Sequence, residues 1–410
     1  MRFKLRGALA HRDYALFFSG QMVSLIGSWM QSLGQSWLIL QLTDSPFKLG
    51  LISTLQFTPM LLFSLFSGAI IDRLPKRKLI IATQTAFMIL AFVLAFLVHT
   101  DLVQYWHVAA LALTLGVVNT FDLPARQSYV VEMVGKADLA SAVALNSALF
   151  NGARIVGPAI AGLLIAKIGI APAFAFNGLS YLAVIAALTQ IRAEGLPKGE
   201  QRGSMIQQIR EGISFAWSQP MLRFAISLTL FVGTFVINFQ VLVPAFARMV
   251  LHQEAQGFGG LMAAQGAGAL VGALLRAVQN RSNPRLRSII VPAVLMSGAA
   301  VSMYFVHTMW LAAAVLFVIG FGMIQFLTGT NTKVQMAAPD HLRGRVMSLY
   351  TLSNAGTAPI GSLYSGAVTE AYGASTGFLV AGSLGLTVIT ALSAWWWNSL
   401  RHKLNTEETP

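Results

Sequence analysis

The sequence VNTFDLPARQSYVVEMVGKADLASAVALNSALFNGARIVGPAIAG, residues 118–162, sets ionisable side chains among apolar ones. Asp122 and Arg126 lie four residues apart, a short basic turn follows them, and a lone Arg154 interrupts a long apolar run. If the flanking segments cross a bilayer, these charges lie in or near hydrocarbon. Ionisable groups are costly there and usually mark a substrate or proton path.

The composition supports that placement. Hydrophobic residues make up 55% of the 410 residues and charged residues only 10%, whereas a soluble protein carries about 25% charged residues. The chain is therefore predicted to be an integral membrane protein. It has no cysteine, which excludes disulfides, thiolate catalysis and cysteine-ligated metal. The basic N-terminus lacks the apolar core of a secretory signal, so we interpret it as a cytoplasmic tail.

Apolar stretches of about 20 residues, long enough to span a bilayer, occur twelve times. They cover residues 14–41, 47–71, 79–99, 107–130, 139–167, 172–191, 221–247, 256–278, 287–306, 309–332, 343–370 and 375–398. With both termini in the cytoplasm, the cytoplasmic segments hold 24 of the 28 Lys and Arg residues. The positive-inside rule favours this orientation. It also explains the net charge of +13 better than nucleic-acid binding does.

The longest polar break divides the chain into a six-helix half at 1–191, a linker at 192–220 and a second six-helix half at 221–410. Within the linker, residues 204–217 predict either an amphipathic helix on the inner leaflet or a plain tether. A shift of 204 residues superimposes seven of the first sixteen glycines on later glycines, including Gly68 on 272 and Gly157 on 361. The halves are therefore predicted to be related by a parallel repeat, an architecture of transporters.

The loop after the second span reads GAIIDRLPKRK, residues 68–78, with Gly68, Asp72, Arg73 and Arg77 in fixed spacing. Taken alone, it is also compatible with a simple basic end of a span. With twelve spans in a six-plus-six repeat, it resembles the cytoplasmic signature of the major facilitator superfamily. The resemblance implies an all-α membrane fold of twelve transmembrane helices in two pseudo-symmetric halves. The equivalent second-half segment, GALLRAVQNR at 272–281, has Arg276 in place of the acid, so any gating role belongs to the first copy.

The fifth span carries Gly152, Gly157, Pro158 and Gly162, a pattern that resembles the superfamily's antiporter signature. Small residues permit close packing, and the proline weakens and bends the helix. The segments FDLPARQ (121–127), ALNSALFNGARIVGPAIAG (144–162) and PDHLRGRVMSLYT (339–351) are similar to the branch containing the enterobactin exporter and related bacterial drug-efflux proteins. The resemblance implies export of amphiphilic compounds such as siderophores or drugs.

Proton coupling needs a titratable group that is exposed to each side in turn, and two acids lie within predicted spans. Asp122 lies in the inner half of span four and Glu370 at the outer end of span eleven. We expect Asp122 to carry the proton, with Arg126 one turn away favouring its charged form. The resemblance implies a charge relay joining this acid to Asp72 and to Arg73 or Arg77. The alternative is a permanent Asp122–Arg126 ion pair that only fixes the gate.

Arg154 is expected near mid-membrane, about 22 Å from the start of its helix at 1.5 Å per residue. An arginine does not lose its proton, so it either contacts an anionic or polar substrate or forms a structural pair. Other polar side chains within spans are candidate cavity residues, although amides also join membrane helices to one another. They are Gln31, Gln35, Asn119, Asn151, Asn238, Gln265, Gln325 and Asn354.

The leading hypothesis is a secondary active exporter in a bacterial inner membrane, with both termini cytoplasmic and a proton gradient as its energy source. No phosphate-binding loop, metal-ligand spacing or nucleophile–base set appears, so no cofactor, no metal and no enzymatic activity are expected. The expected partners are a small amphiphilic substrate, protons and the lipid bilayer, with the protein acting as a monomer. The alternative is a translocator of lysophospholipids or other lipids on the same fold.

Overall fold

The computed structural model of the protein describes residues 7–71, 73–195, 205–279, 286–339 and 342–407. These residues form α-helices and two short 3₁₀ turns, Ala8–Ala10 and Met303–Phe305, and none of them lies in a β-strand. The α-helices are α1 (Arg12–Thr43), α2 (Pro46–Ile71), α3 (Lys76–His99), α4 (Tyr105–Ile168), α5 (Ala171–Gln190), α6 (Met205–Ser218), α7 (Pro220–Phe235), α8 (Phe239–Met249), α9 (Ala255–Gln279), α10 (Arg287–Ser302), α11 (Met309–Ala337), α12 (Arg343–Ala355), α13 (Thr357–Tyr372) and α14 (Ala374–Glu407).

Within this described part of the chain, eight helical segments are long and apolar enough to cross a membrane. They are Lys76–His99, Tyr105–Ile168, Ala171–Gln190, Pro220–Met249, Ala255–Arg276, Arg287–Phe305, Met309–Ala337 and Ala374–Asn398. Backbone N–H and C=O groups in hydrocarbon must be satisfied within the protein, which helices achieve with their own hydrogen bonds. The all-α architecture predicted from the sequence is confirmed.

Some helices of the structure begin or end at residues other than the limits of the predicted spans. The fourth and fifth predicted spans are both part of α4, which has 64 residues and one non-helical residue, Gly135, with φ 68° and ψ 175°. A positive φ is readily adopted by glycine because it has no Cβ. The seventh predicted span breaks into α7 and α8, and the eleventh breaks at Gly356 between α12 and α13. The break at Gly135 falls in the polar stretch between the fourth and fifth predicted spans. Hydropathy does not detect the breaks between α7 and α8 and at Gly356, because apolar residues continue on both sides of them.

One compact unit of the chain comprises residues 1–201 and 252–266. Its buried core includes Tyr14, Phe17, Ile80, Tyr129 and Leu188. In this unit α1 packs against α4 and α5, α2 packs against α4, and α3 packs against α4 and α5. The helices of the first sequence repeat therefore share one core, with α4 as the helix that contacts all of its neighbours.

Glycines set the closest helix contacts in this unit. A Cβ on Gly157 would lie 2.5 Å from Trp29 Cβ and 2.9 Å from the carbonyl oxygen of Ile26 on α1. A Cβ on Gly162 would lie 3.1 Å from the Cα of Gly259 at the start of α9. Gly152, by contrast, has open space where a Cβ would be. Two glycines of the antiporter-like pattern are thus needed for backbone approach, and the first is not.

The second compact unit comprises residues 202–251 and 267–410. Its buried residues include Leu222 and Ile226 on α7, Val334 on α11, and Val346 and Tyr350 on α12. The linker helix α6 buries Ala216 in this cluster, and Glu211 forms an ion pair with Arg345 of α12. Ile213 and Trp217 of α6 remain 42% and 49% exposed. The helix therefore has one packed face and one exposed apolar face, and its contact with the inner leaflet stays a prediction.

Gly152 and Gly157 of α4 provide a matched test of close packing, because a Cβ would meet another helix at Gly157 and open space at Gly152. We expect Gly157→Ala to destabilise the protein by about 1–3 kcal/mol because the new methyl group overlaps backbone and Cβ atoms of α1. We expect Gly152→Ala to be neutral or stabilising by up to about 1 kcal/mol because alanine has the higher helix propensity. Unfolding of both purified variants in detergent measures the difference. Equal stability of the two variants would contradict the packing described.

Candidate functional site

Asp122 is the fully buried acid of the described chain that lies within a predicted span, and it has three donors around it. Thr83 Oγ1 donates to Asp122 Oδ1 over 2.6 Å, and Gln84 Nε2 donates to the same oxygen over 2.9 Å. The Nε atom of Arg126 lies 2.6 Å from Asp122 Oδ2 in an ion pair. Both carboxylate oxygens are therefore engaged by groups that stabilise the charged form.

Three helices bring this cluster together. Asp122 and Arg126 are one turn apart on α4, a spacing that places two side chains on the same face of a helix. Thr83 and Gln84 come from α3, which packs against α4. Arg126 Nη1 continues the network to α1 by donating to Gln21 Oε1 over 2.7 Å. A polar chain thus runs from α3 through α4 to α1.

The two amides at the ends of this chain have unused hydrogen-bonding capacity. Gln84 Oε1 and Gln21 Nε2 are both buried and have no hydrogen-bond partner among the described residues. Gln84 is 2% exposed and Gln21 is 5% exposed. A buried polar atom without a partner is uncommon and calls for an explanation, such as a water, an ion or a second state of the site.

The basic loop after α2 contacts groups other than Asp122. Lys76 is fully buried, and its Nζ lies 2.8 Å from Glu132 Oε1. Arg77 donates to the carbonyl oxygens of Leu188 and Thr189 at the end of α5, over 2.7 and 2.8 Å. Arg73 is exposed. Gly68 belongs to α2, and Asp72 lies outside the described residues, so the expected relay through Asp72 stays a prediction.

Arg154 lies in the second part of α4 with its guanidinium 5.8 Å from the ring centroid of Trp29, a cation–π distance. The Trp29 ring in turn meets Phe150 edge-on at 5.5 Å. The backbone of α9 comes close at the same place, since a Cβ on Gly266 would lie 3.1 Å from the Arg154 carbonyl oxygen. Arg154 is thus set beside the Trp29 ring, which in turn packs on Phe150.

The remaining cavity candidates fall into two groups. Four have amides bonded inside the protein: Gln31 accepts from Asn177 at 2.6 Å, Gln35 donates to Gln56 at 3.2 Å, Asn151 donates to the Ser147 carbonyl at 2.8 Å, and Asn238 donates to the Thr234 carbonyl at 2.6 Å. These contacts join helices or satisfy helix backbone. Gln265 is fully buried with no partner for either amide atom among the described residues. Gln325 is buried, and Asn119 and Asn354 are partly buried.

Sequence reasoning did not single out Thr83, Gln84, Gln21 and Asn177. The available signal was the polar pair Thr83–Gln84 in an otherwise apolar span. No group of three or more His, Asp or Glu side chains with a geometry suited to a metal ion occurs among the residues that the structure describes.

Comparisons with known proteins give a consistent result. A family profile described as "Transmembrane secretion effector" matches residues 7–406. The Mycolicibacterium fortuitum multidrug efflux pump Tap is 29% identical, over 84% of this chain and 86% of its own length. The Staphylococcus aureus staphyloferrin A transporter is 23% identical over 96% and 98% of the two chains. The Escherichia coli enterobactin exporter EntS is 24% identical over 93% of each chain.

The fold also matches solved structures. The nucleoside transporter NupG superimposes with a TM-score of 0.73 over 94% of this chain and 98% of its own. The two sequences are only 12% identical, so this likeness concerns the fold alone.

The buried ion pair predicts a coupling energy. Removing one partner of a buried pair leaves an uncompensated charge, so Asp122→Asn and Arg126→Gln should each destabilise the protein by about 3 kcal/mol. The double variant should lose less than the sum of the two, with a coupling of at least about 1 kcal/mol. Unfolding of the four proteins in detergent gives this value.

The pair Glu211–Arg345 supplies the comparison, because its side chains are 45% and 33% exposed. The same cycle on Glu211→Gln and Arg345→Gln should give a coupling of about 1 kcal/mol or less. Additive effects at Asp122 and Arg126 would show that the two side chains do not depend on each other.

Proposed function

Because the chain belongs to the transmembrane secretion effector family of the major facilitator superfamily, we propose that it is a secondary active exporter of amphiphilic small molecules driven by proton antiport. The predicted fold class and family are confirmed by this membership and by the all-α structure. Relatives named as a multidrug efflux pump and as an enterobactin exporter support export as the direction of transport. They also support substrates of drug or siderophore type.

One observation carries the coupling step. Asp122 is a carboxylate with no exposed surface, placed in a membrane helix and paired with a guanidinium. An ionisable group in such a position is expensive and functional by default. In the proposed cycle Asp122 binds a proton from outside, loses its charge attraction to Arg126, and releases the proton to the cytoplasm. The substrate moves outward by alternating access.

The substrate contact is proposed at Arg154. Its fixed positive charge beside Trp29 and Phe150 suits a molecule that combines an acidic or strongly polar group with an aromatic one. Gln265 is a second candidate because its buried amide has hydrogen-bonding capacity that a ligand could use. The other polar candidates from the predicted spans are proposed to join helices where their amides are already bonded.

The glycines of α4 support exchange. Gly157 and Gly162 hold α4 close to α1 and to the start of α9. Because glycine has no side chain, helices in contact at these positions can slide without first separating interlocked side chains. The setting that we propose is a bacterial inner membrane, with both termini cytoplasmic, a monomeric protein and no cofactor.

Asp122→Asn tests the coupling. Proteoliposomes loaded with an amphiphilic dye should export it against its gradient when a pH gradient is imposed across the membrane. The variant should lose this uphill export by at least about 100-fold while still binding the dye, because an amide does not carry a proton. Glu370→Gln, at the other acid within a span, is the matched control and should transport normally.

Uphill export that persists in Asp122→Asn would remove this residue from the mechanism. Export that persists after a protonophore collapses the gradient would leave the transporter assignment in place and reject proton antiport. If a fluorescent lysophospholipid changes leaflet under those conditions while dyes do not move, the lipid-translocator alternative is favoured.

Arg154→Gln tests the substrate contact. Loss of the guanidinium should raise the concentration for half-maximal export of an acidic amphiphile about tenfold or more, because a charge-assisted hydrogen bond contributes about 1.5–3 kcal/mol. Export of a cationic amphiphile of similar size should change little. An equal effect on both substrates would indicate that Arg154 stabilises the protein and does not select the substrate.

A further inference from the structure

The hydroxyl of Thr83 has two acceptors within reach and one proton to give. Its Oγ1 lies 2.6 Å from Asp122 Oδ1 and 2.9 Å from the carbonyl oxygen of Ile80, one turn back on α3. A threonine hydroxyl has one O–H donor and two acceptor lone pairs. It therefore donates to only one of these oxygens at a time and is free to accept from the other side.

The Gln84 side chain can likewise both donate and accept hydrogen bonds. Its Nε2 donates to Asp122 Oδ1, and its Oε1 is buried with no partner among the described residues. Rotation of the terminal amide exchanges a donor for an acceptor at nearly the same position, since the two ends have almost the same shape. Both side chains of α3 that contact Asp122 can thus serve a carboxylate and also a protonated carboxyl group.

We propose that Thr83 is a positioning residue that allows Asp122 to exist in both protonation states, and that Gln84 is a second residue with this role. The inference rests on the proposed role of Asp122 as the proton carrier. When Asp122 is charged, Thr83 donates to Oδ1. When a proton binds Oδ1, the new O–H bond points at Thr83 Oγ1, and Thr83 turns its own proton to the Ile80 carbonyl. Release of the proton reverses both movements, and no other atom is exchanged.

The charged groups around Asp122 are compatible with this exchange of hydrogen-bond donor and acceptor. From α4 itself, Arg126 faces Oδ2, which stays an acceptor when Oδ1 is protonated. From α1, the neutral Gln21 holds Arg126. From α5, Tyr181 lies within electrostatic reach of both Asp122 and Arg126. Lys76 begins α3 two turns before Thr83 and is paired with Glu132, so this pair brings no net charge.

A neighbouring threonine shows what an ordinary helix threonine does. Thr85 Oγ1 donates to the carbonyl oxygen of Ile81 over 2.8 Å, in the backbone contact that threonines commonly make within helices. Thr83 has a carbonyl acceptor three residues back, at Ile80, and in addition has Asp122 Oδ1 within reach. Thr85 is therefore a matched control on the same helix.

The test is the pH dependence of proton-driven dye export in proteoliposomes containing Thr83→Val, Thr83→Ser or Thr85→Val. Valine has the shape of threonine without the hydroxyl. It removes a donor from the carboxylate, where hydrogen bonds are strongest, and a weaker neutral bond from the protonated form. The charged form loses more, so Asp122 should hold its proton to higher pH. We expect the midpoint of the profile to rise by about one pH unit, a tenfold change in proton concentration, with a lower maximal rate.

Thr83→Ser, which keeps the hydroxyl, and Thr85→Val should both keep the midpoint of the unmodified protein. If Thr83→Val does not reach the membrane, Thr83→Ala takes its place as the variant without the hydroxyl. Infrared difference spectra between low and high pH give a second measure. The carbonyl stretch of protonated Asp122 should shift when the hydroxyl acceptor is removed and should be absent in Asp122→Asn.

An unchanged midpoint and an unchanged carbonyl stretch in the valine and alanine variants would overturn the assignment of Thr83. An equal shift in Thr85→Val would also overturn it, because the effect would then belong to α3 in general. These outcomes differ from failure of the proposed function, for which Asp122→Asn would retain uphill export. If Asp122→Asn blocks export while the Thr83 variants behave as the unmodified protein, proton antiport stands and only the role of Thr83 is lost.

Discussion

A carboxylate and a guanidinium inside apolar helices each need a partner, and Asp122 and Arg126 meet this need within one turn of α4. The ion pair alone leaves lone pairs and N–H groups unsatisfied, so Thr83 and Gln84 from α3 and Gln21 from α1 complete the cluster. The orientation of α1 and α3 about α4 is therefore fixed by polar atoms as well as by packing. A polar network of this kind specifies one arrangement of helices, because rotation of α1 or α3 would remove hydrogen bonds from the buried charges of α4.

Glycine contacts set the distance between helices where the polar network does not reach. Lipid tails are as apolar as leucine, so apolar matching gives membrane helices little reason to associate, and close backbone approach supplies the packing energy instead. Gly157 and Gly162 provide this approach in the second part of α4, after the break at Gly135. The first part of α4 thus carries the ion pair, and the second part carries the close contacts and Arg154.

Much of this could be predicted from the sequence. Hydropathy was enough to predict an all-α membrane fold, and the rarity of charges within predicted spans singled out Asp122, Arg126 and Arg154 as candidates. The partners of Asp122 could not be selected, because which uncharged side chains of α3 and α1 face α4 depends on helix rotation. The basic loop at 73–78 did not indicate that one of its lysines is buried, yet Lys76 is fully buried against Glu132, since an ion pair compensates for its burial. The polar stretch between residues 130 and 139 predicted a break at this place, but not that α4 would be helical on both sides of the single residue Gly135.

The two charged centres of α4 have different capacities, and α1 is the helix that touches both. Arg154 keeps its proton under all physiological conditions, so a charge change in the cycle has to occur at the carboxylate. Arg126 is bonded to Gln21 of α1, and Arg154 lies over Trp29 of the same helix. These two α1 residues are eight positions apart, about 12 Å along a helix axis. A change in charge at Asp122 that alters the hold of Arg126 on Gln21 therefore acts on the helix that presents Trp29 to Arg154.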